Sequence, residues 1–278
     1  MLPYPCIIFE QNGGITMPFN KNELILDKIR SLVTYGRTDG KMLFRLRSIE
    51  EPSLQCTAEG DEVTDAIGNV ITTIYRAKKA TLSATNSLIS LDLAAAQYGT
   101  TKEVATSASK IVDLTYDILT VASGDTTVQL TKTPYNKDNI LWIYSIVDGE
   151  VGTAYAVDTT ASATKFTVTA GGEITVPTGF TGKLYVEYEY QTENAVKVTN
   201  KINEFPKDCK MVVYAYFRDK CDDSTVYSGK IICPRAKLNP EQVELALTTT
   251  GKHAFEFKIE NDYCDETDDE LFTIIVAQ

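Results

Sequence analysis

One histidine, His253, is the only imidazole in the chain, and that limits the acid–base chemistry available to it. A nucleophilic triad needs a base beside an activated hydroxyl or thiol. His253 instead opens an alternating stretch just after Thr248-Thr249-Thr250-Gly251, with no nucleophile elbow beside it, so it reads as structural or solvent-facing. Neither GxxxxGK nor GxGxxG occurs, which leaves phosphate cradling by a glycine loop without support. The expectation is a protein that is not an enzyme, with no catalytic, cofactor-binding or metal-binding residue and no cofactor.

Carboxylates and thiols point the same way. The acidic loops at 219–223 and 262–270 lack the spaced Asp-Gly-Glu pattern of a calcium loop and read as solvated charge. No pair of acids stands out as a glycosidase couple. Cys6, Cys56, Cys209, Cys221, Cys233 and Cys264 are scattered without a Cys-x-x-Cys, so reduced, mostly buried thiols are expected and a structural zinc is not.

With 278 residues and 43% hydrophobic content the chain can bury a full core, as one large β domain or two smaller ones. Its net charge of −11 repels phosphate, which disfavours a DNA-gripping role but not a surface past which DNA slides. The densest basic cluster, Arg76-Ala77-Lys78-Lys79, reads as a subunit contact or a solvated edge. The start shows no signal-peptide pattern and no run of eighteen apolar residues occurs, so the expectation is a soluble, cytoplasmically made protein without a membrane partner.

The elements that must position these residues are mostly strands. Residues 22–33 fit either a short helix or an extended arm, and Met42, Phe44 and Leu46 alternate with Lys41, Leu43, Arg45 and Arg47 in a strand with one largely charged face. Residues 59–79 read as a hairpin turning at Asp65-Ala66-Ile67-Gly68-Asn69, with a β-branched second strand. One helix follows, capped by Thr85 or Asn86, with Leu88, Leu91, Ala95 and Tyr98 on one face and Gly99 at its end. Strands at 211–217 and 225–233 are joined through a polar loop, and Pro234 is expected to end the second. Phe255, Phe257 and Ile259 share one face of a strand whose hairpin partner is expected at 271–276.

Residues 113–191 differ in texture, being rich in Thr, Val, Tyr and Gly. Strand-like runs at 126–130, 140–146, 165–169, 173–176 and 183–190 suggest a small β-sandwich or a long β excursion. Trp142, the single tryptophan, lies in an apolar run and is expected in the core.

Several strings resemble phage virion structural proteins of the tail tube type. They are Glu187 to Asn200, Phe205-Pro206-Lys207, Pro234-Arg235-Ala236-Lys237-Leu238 and Asp262-Tyr263-Cys264-Asp265, with Thr64 to Asn69 and Leu93 to Gly99 from the other end. The resemblance implies a mainly β fold, a tail-tube-like β-sandwich with one flanking α-helix and a β-rich insert or elaborated loop. Residues 1–112 and 193–278 would form the tube domain and 113–192 the β-rich section, an Ig-like insert in one reading. It also implies a self-assembling virion subunit that stacks as hexameric rings, meets other tail proteins and lets viral DNA pass through its lumen without tight binding. The alternatives are another virion component, such as a decoration or tail-completion protein, and a carbohydrate-binding β-sandwich module.

Overall fold

The structure, a computed structural model, describes residues 23–136, 140–177, 179–220, 224–241, 243–247, 251–262 and 269–277. In chain order the first elements are β1 (Leu24–Gly36), β2 (Met42–Leu46), β3 (Ile49–Thr64), β4 (Val70–Asn86) and α1 (Leu91–Tyr98). Then come β5 (Glu103–Val104), β6 (Ile111–Val121), β7 (Thr127–Gln129), β8 (Ile140–Val147), β9 (Glu150–Val157), β10 (Lys165–Val168), β11 (Glu173–Thr175), β12 (Gly182–Thr192) and β13 (Val196–Lys197). The chain finishes with β14 (Cys209–Asp219), β15 (Val226–Leu238), β16 (His253–Ile259) and β17 (Thr273–Ala277). The fold is mainly β, with one helix among the described residues. It divides into two compact units, one from the described residues of Met1–Thr101 and Thr199–Gln278, the other from those of Lys102–Val198.

In the first unit an eight-stranded sheet runs β2-β1-β14-β15-β16-β4-β3, with β17 also on β15. The segment that fits helix or arm in sequence is strand β1, paired along β14 with register shifts at Leu26/Lys28 and Ile29/Ser31. Inward side chains from both halves of the sheet meet in one core. Leu32, Phe44, Leu46, Met211, Val213 and Cys233 come from one half and Leu82, Ala84, Phe255, Phe257 and Ile259 from the other, with Leu93 of α1 added. Alternation along β16 buries Phe255, Phe257 and Ile259, as the period of two requires.

Three expectations need correction here. β16 and β17 are not hairpin partners: β17 pairs Ser228–Ile232 of β15, while β16 pairs β4 along its length and takes only Ala236–Leu238 of β15. The thirteen residues of β15 leave edge for two short strands end to end, and alternation marks a strand without naming its neighbour. Pro234 does not end β15 either, because a register shift between Cys209 and Met211 of β14 accommodates the missing donor. The helix is capped by Ser90, whose Oγ accepts from the Leu93 amide at 3.3 Å, rather than by Thr85 or Asn86, which belong to β4. Its buried residues are Leu93, Ala94, Ala95 and Gln97, while Leu88 and Leu91 are exposed. Gly99 ends it at φ 71°, where a Cβ would also stand 2.2 Å from the Phe205 carbonyl oxygen.

The second unit is a seven-stranded sheet in the order β6-β12-β8-β9-β10-β11-β7, with β9 and β10 parallel, and a two-stranded ribbon of β5 and β13. Its own core holds Val121, Ile143, Phe166, Ile174, Leu184, Val186 and Tyr188. Tyr155, Phe166 and Phe180 pack edge to face at 4.9 to 5.8 Å. A buried polar knot ties the 131–132 segment to the sheet. The Tyr188 hydroxyl donates to Asp117 Oδ2 at 2.9 Å and accepts from the Lys132 amide at 3.0 Å, while Asp117 also accepts from the Thr131 amide and hydroxyl.

Candidate assembly surface

The residues singled out for chemistry do not come together. His253 is fully buried. Its Nδ1 accepts from the Ser90 amide at 3.3 Å, so Nε2 carries the proton and donates to Gln97 Oε1 at 2.5 Å. Burial lowers its pKa. Its ring ties the start of α1 to β16, and neither polar contact is to a nucleophile. Of the acidic loops, Asp219 accepts from the Tyr227 hydroxyl at 3.2 Å and Asp262 pairs with Arg37, while 221–223 and 263–268 lie outside the described residues. Cys209 and Cys233 are buried free thiols, each pushed up to about 12 by burial, and Cys56 is exposed. Cys6, Cys221 and Cys264 lie outside the described residues. Among the described residues no cluster of three His, Cys, Asp or Glu side chains could hold a metal.

What does come together is unpartnered β surface. β3 and β4 pair from Ile49 with Asn86 to Thr64 with Val70, but β16 covers β4 only as far as Ala80. Residues 57–79 therefore form an arm in which, among the described residues, two strands pair only with each other. A two-stranded hairpin alone is marginal in water, because its faces bury little. This one exposes Ile67, Ile71, Ile74 and Tyr75 at 85, 67, 55 and 71%.

The tip of the arm is well specified locally. Asp65 Oδ1 accepts from the amides of Ile67 and Asn69 at 2.9 and 2.8 Å, and its Oδ2 accepts from Asn69 Nδ2 at 3.0 Å. Hydrogen bonds from Asn69, backbone first, lower the Asp65 pKa. Gly68 supplies φ 91°. Farther back Arg76 pairs with Asp61 at 2.6 Å and Lys79 with Glu59, which places two of the Arg76–Lys79 cations in cross-strand pairs at solvent-exposed positions.

In the second unit the outer face of β6, β12 and β8 is also uncovered. Tyr116 stacks on Tyr185 at 5.3 Å, Trp142 lies 5.9 Å from Tyr144, and Leu114 and Ile118 are exposed beside them. Trp142 is 55% exposed, which corrects its expected core role. In β8 it is Ile143 that points inward, and the alternation of the strand turns Trp142 outward.

The model of the YomU/Tube protein family matches residues 25–270. Among curated proteins, none matches the chain.

Proposed function

We propose, from the premise that this chain belongs to the YomU/Tube protein family, a family of phage tail tube proteins, that it is the repeating subunit of a tail tube. In this reading copies close hexameric rings, the rings stack, and viral DNA passes through the lumen without being held. The observation that carries it is the arm at 57–79, with apolar side chains exposed on a ribbon that pairs with no other strand among the described residues. A neighbouring copy would cover them. The middle unit would then be an insert carried on the tube's outer surface, and the activity would be assembly rather than catalysis.

The arm gives the test. Replacing residues 58–78 with a short Gly/Ser turn removes this ribbon and leaves the pairing of β4 with β16 in place. The shortened chain should melt cooperatively yet fail to form rings or tubes at concentrations where the full chain forms them. Normal tubes without the arm would discard the reading.

A second reading concerns the middle unit alone and is favoured by Trp142 and its neighbouring tyrosines, which put aromatic rings on an open sheet face. Such rings can stack on the apolar faces of sugars, so this unit could act as a carbohydrate-binding module. Binding of the full chain to bacterial cell-wall polysaccharide, lost in Trp142→Ala, would support it. Equal retention of both proteins, or of neither, would remove it.

A further inference from the structure

The first unit carries two outward faces of opposite charge. On the outer side of β2, β1, β14 and β15, cross-strand partners bring together residues distant in sequence. Arg45 sits opposite Val33, which sits opposite Val212, and Tyr35 is opposite Lys210. Tyr214 is opposite Lys230. Lys28 and Arg30 both lie over the Tyr216 ring, at 5.9 and 5.8 Å. Lys28, Arg30, Arg45, Lys210 and Lys230 are exposed, and among the described residues none has a carboxylate partner. Asp27, at the margin of this face, is taken by Arg218 at 3.1 Å. In a chain of net charge −11 such a face is conspicuous.

It is also grooved. Arg30, Val33, Tyr35, Arg45 and Tyr214 line a depression of about 250 Å³. A second, of about 530 Å³, shares Tyr35 and Tyr214 and adds Lys210.

The other half of the same sheet is acidic outside. Glu256 faces Ser83 and Ala254 faces Thr85 across β16 and β4, on the side away from Phe255 and Phe257. With Glu51, Glu241 and Glu244 they surround a pocket of about 590 Å³. Lys258 reaches Glu241 at 3.2 Å and leaves the surplus negative. Because the inner sides of both halves share one core, the basic and acidic faces point away from it on different sides.

We infer that the basic face of one copy docks on the Glu51/Glu241/Glu244/Glu256 pocket of the next, a head-to-tail contact that repeats through the assembly. This rests on the tube reading and names the surfaces that meet. Two different patches on one subunit make a heterologous interface, which closes a ring or propagates a stack. Complementary charge fixes the register and steers the encounter. A second copy fits better than nucleic acid for two reasons. Val33, Val212 and Met42 lie among the cations, and the molecule as a whole repels phosphate.

The experiment is a charge swap in the full chain, read by analytical ultracentrifugation and negative-stain microscopy after circular dichroism has checked folding. Lys210→Glu with Lys230→Glu makes one variant, and Glu241→Lys with Glu244→Lys makes the other. Each alone should assemble about tenfold or more less readily than the wild type, because every contact sets like charges together. Mixed in equal amounts they should assemble again, since alternating subunits restore opposite charge at every contact. Assembly of either variant at the wild-type level, or failure of the folded pair to rescue, overturns the inference while leaving the tube reading intact. A wild type that never assembles overturns both. Salt provides a check that no variant can spoil: wild-type assembly should weaken from low to moderate salt, and indifference to salt would count against the contact. Duplex DNA retained by the wild type at low salt and lost with Lys210→Glu/Lys230→Glu would assign the face to nucleic acid instead.

Discussion

His253 and Gln97, 156 residues apart, meet through Nε2 and Oε1 at 2.5 Å in the core of the first unit. Gln97 Nε2 in turn donates to the Ala254 carbonyl at 3.1 Å, and the Ser90 amide donates to His253 Nδ1. The helix is thereby fastened to β16 at both ends of one imidazole. A proton added at Nδ1 would face the Ser90 N–H, a donor against a donor, in a site that already disfavours charge.

That geometry sets a pH dependence. Burial holds the folded-state pKa of His253 below the ordinary histidine value near 6.5, so folded and unfolded chains are both neutral here above that value. Below it the unfolded chain takes up the proton first, and stability falls with pH until the folded site also protonates, by at most about 1.4 kcal/mol per pH unit for one proton. Melting temperatures measured from pH 7.5 to 5.5 should therefore decline, and the decline should flatten in His253→Gln. An identical slope in both proteins would show that another group is responsible.

In the middle unit, Asp117→Ala would leave the Tyr188 hydroxyl and the Thr131 amide without their acceptor. We expect a loss of about 2–4 kcal/mol, against about 1–2 for Tyr188→Phe, which removes one hydroxyl. Chemical denaturation followed by Trp142 fluorescence reads this unit directly. A smaller loss for Asp117→Ala than for Tyr188→Phe would contradict the knot.

Removing residues 271–278 should open the edge of β15 at Ser228–Ile232 and strip Leu271 and Phe272 from the core margin. β17 itself is largely exposed, so the cost rests on those two side chains and the unpaired edge and should be about 2–4 kcal/mol. The truncated chain is expected to fold and to aggregate more readily, by light scattering. Unchanged stability would mean that β17 contributes nothing.

Excising residues 102–198 and bridging the ends with a short Gly/Ser linker tests whether the middle unit is an insert. A soluble product with one cooperative transition is the expected result. Insoluble or molten protein would make the two units interdependent.

Much of this fold is legible in the sequence because alternation is a local signal. Phe44 with Leu46, and Phe255 with Phe257 and Ile259, announce strands with one buried side, and Asp65 to Asn69 announces its turn. β9 is missed because Glu-Val-Gly-Thr-Ala-Tyr-Ala-Val is mostly exposed and lacks bulky alternation. Strand partnership is not local: β17 follows β16 in the chain but sits on β15. The same limit hides the basic face. Arg76 to Lys79 is the densest cluster in sequence, whereas Lys28, Arg45, Lys210 and Lys230 become neighbours only through sheet register. The exposed arm has a readable trace, since Val70 to Tyr75 is apolar at nearly every step or β-branched, a run that neither alternates nor finds a cover among the described residues.

The central claim is that this chain assembles through surface left open in the single subunit. Negative-stain microscopy of the purified full-length protein, paired with light scattering over a range of concentrations and salts, tests it most directly. Rings or tubes of uniform width that vanish when residues 58–78 are replaced are the expected result. A strictly monomeric protein under every condition would contradict it.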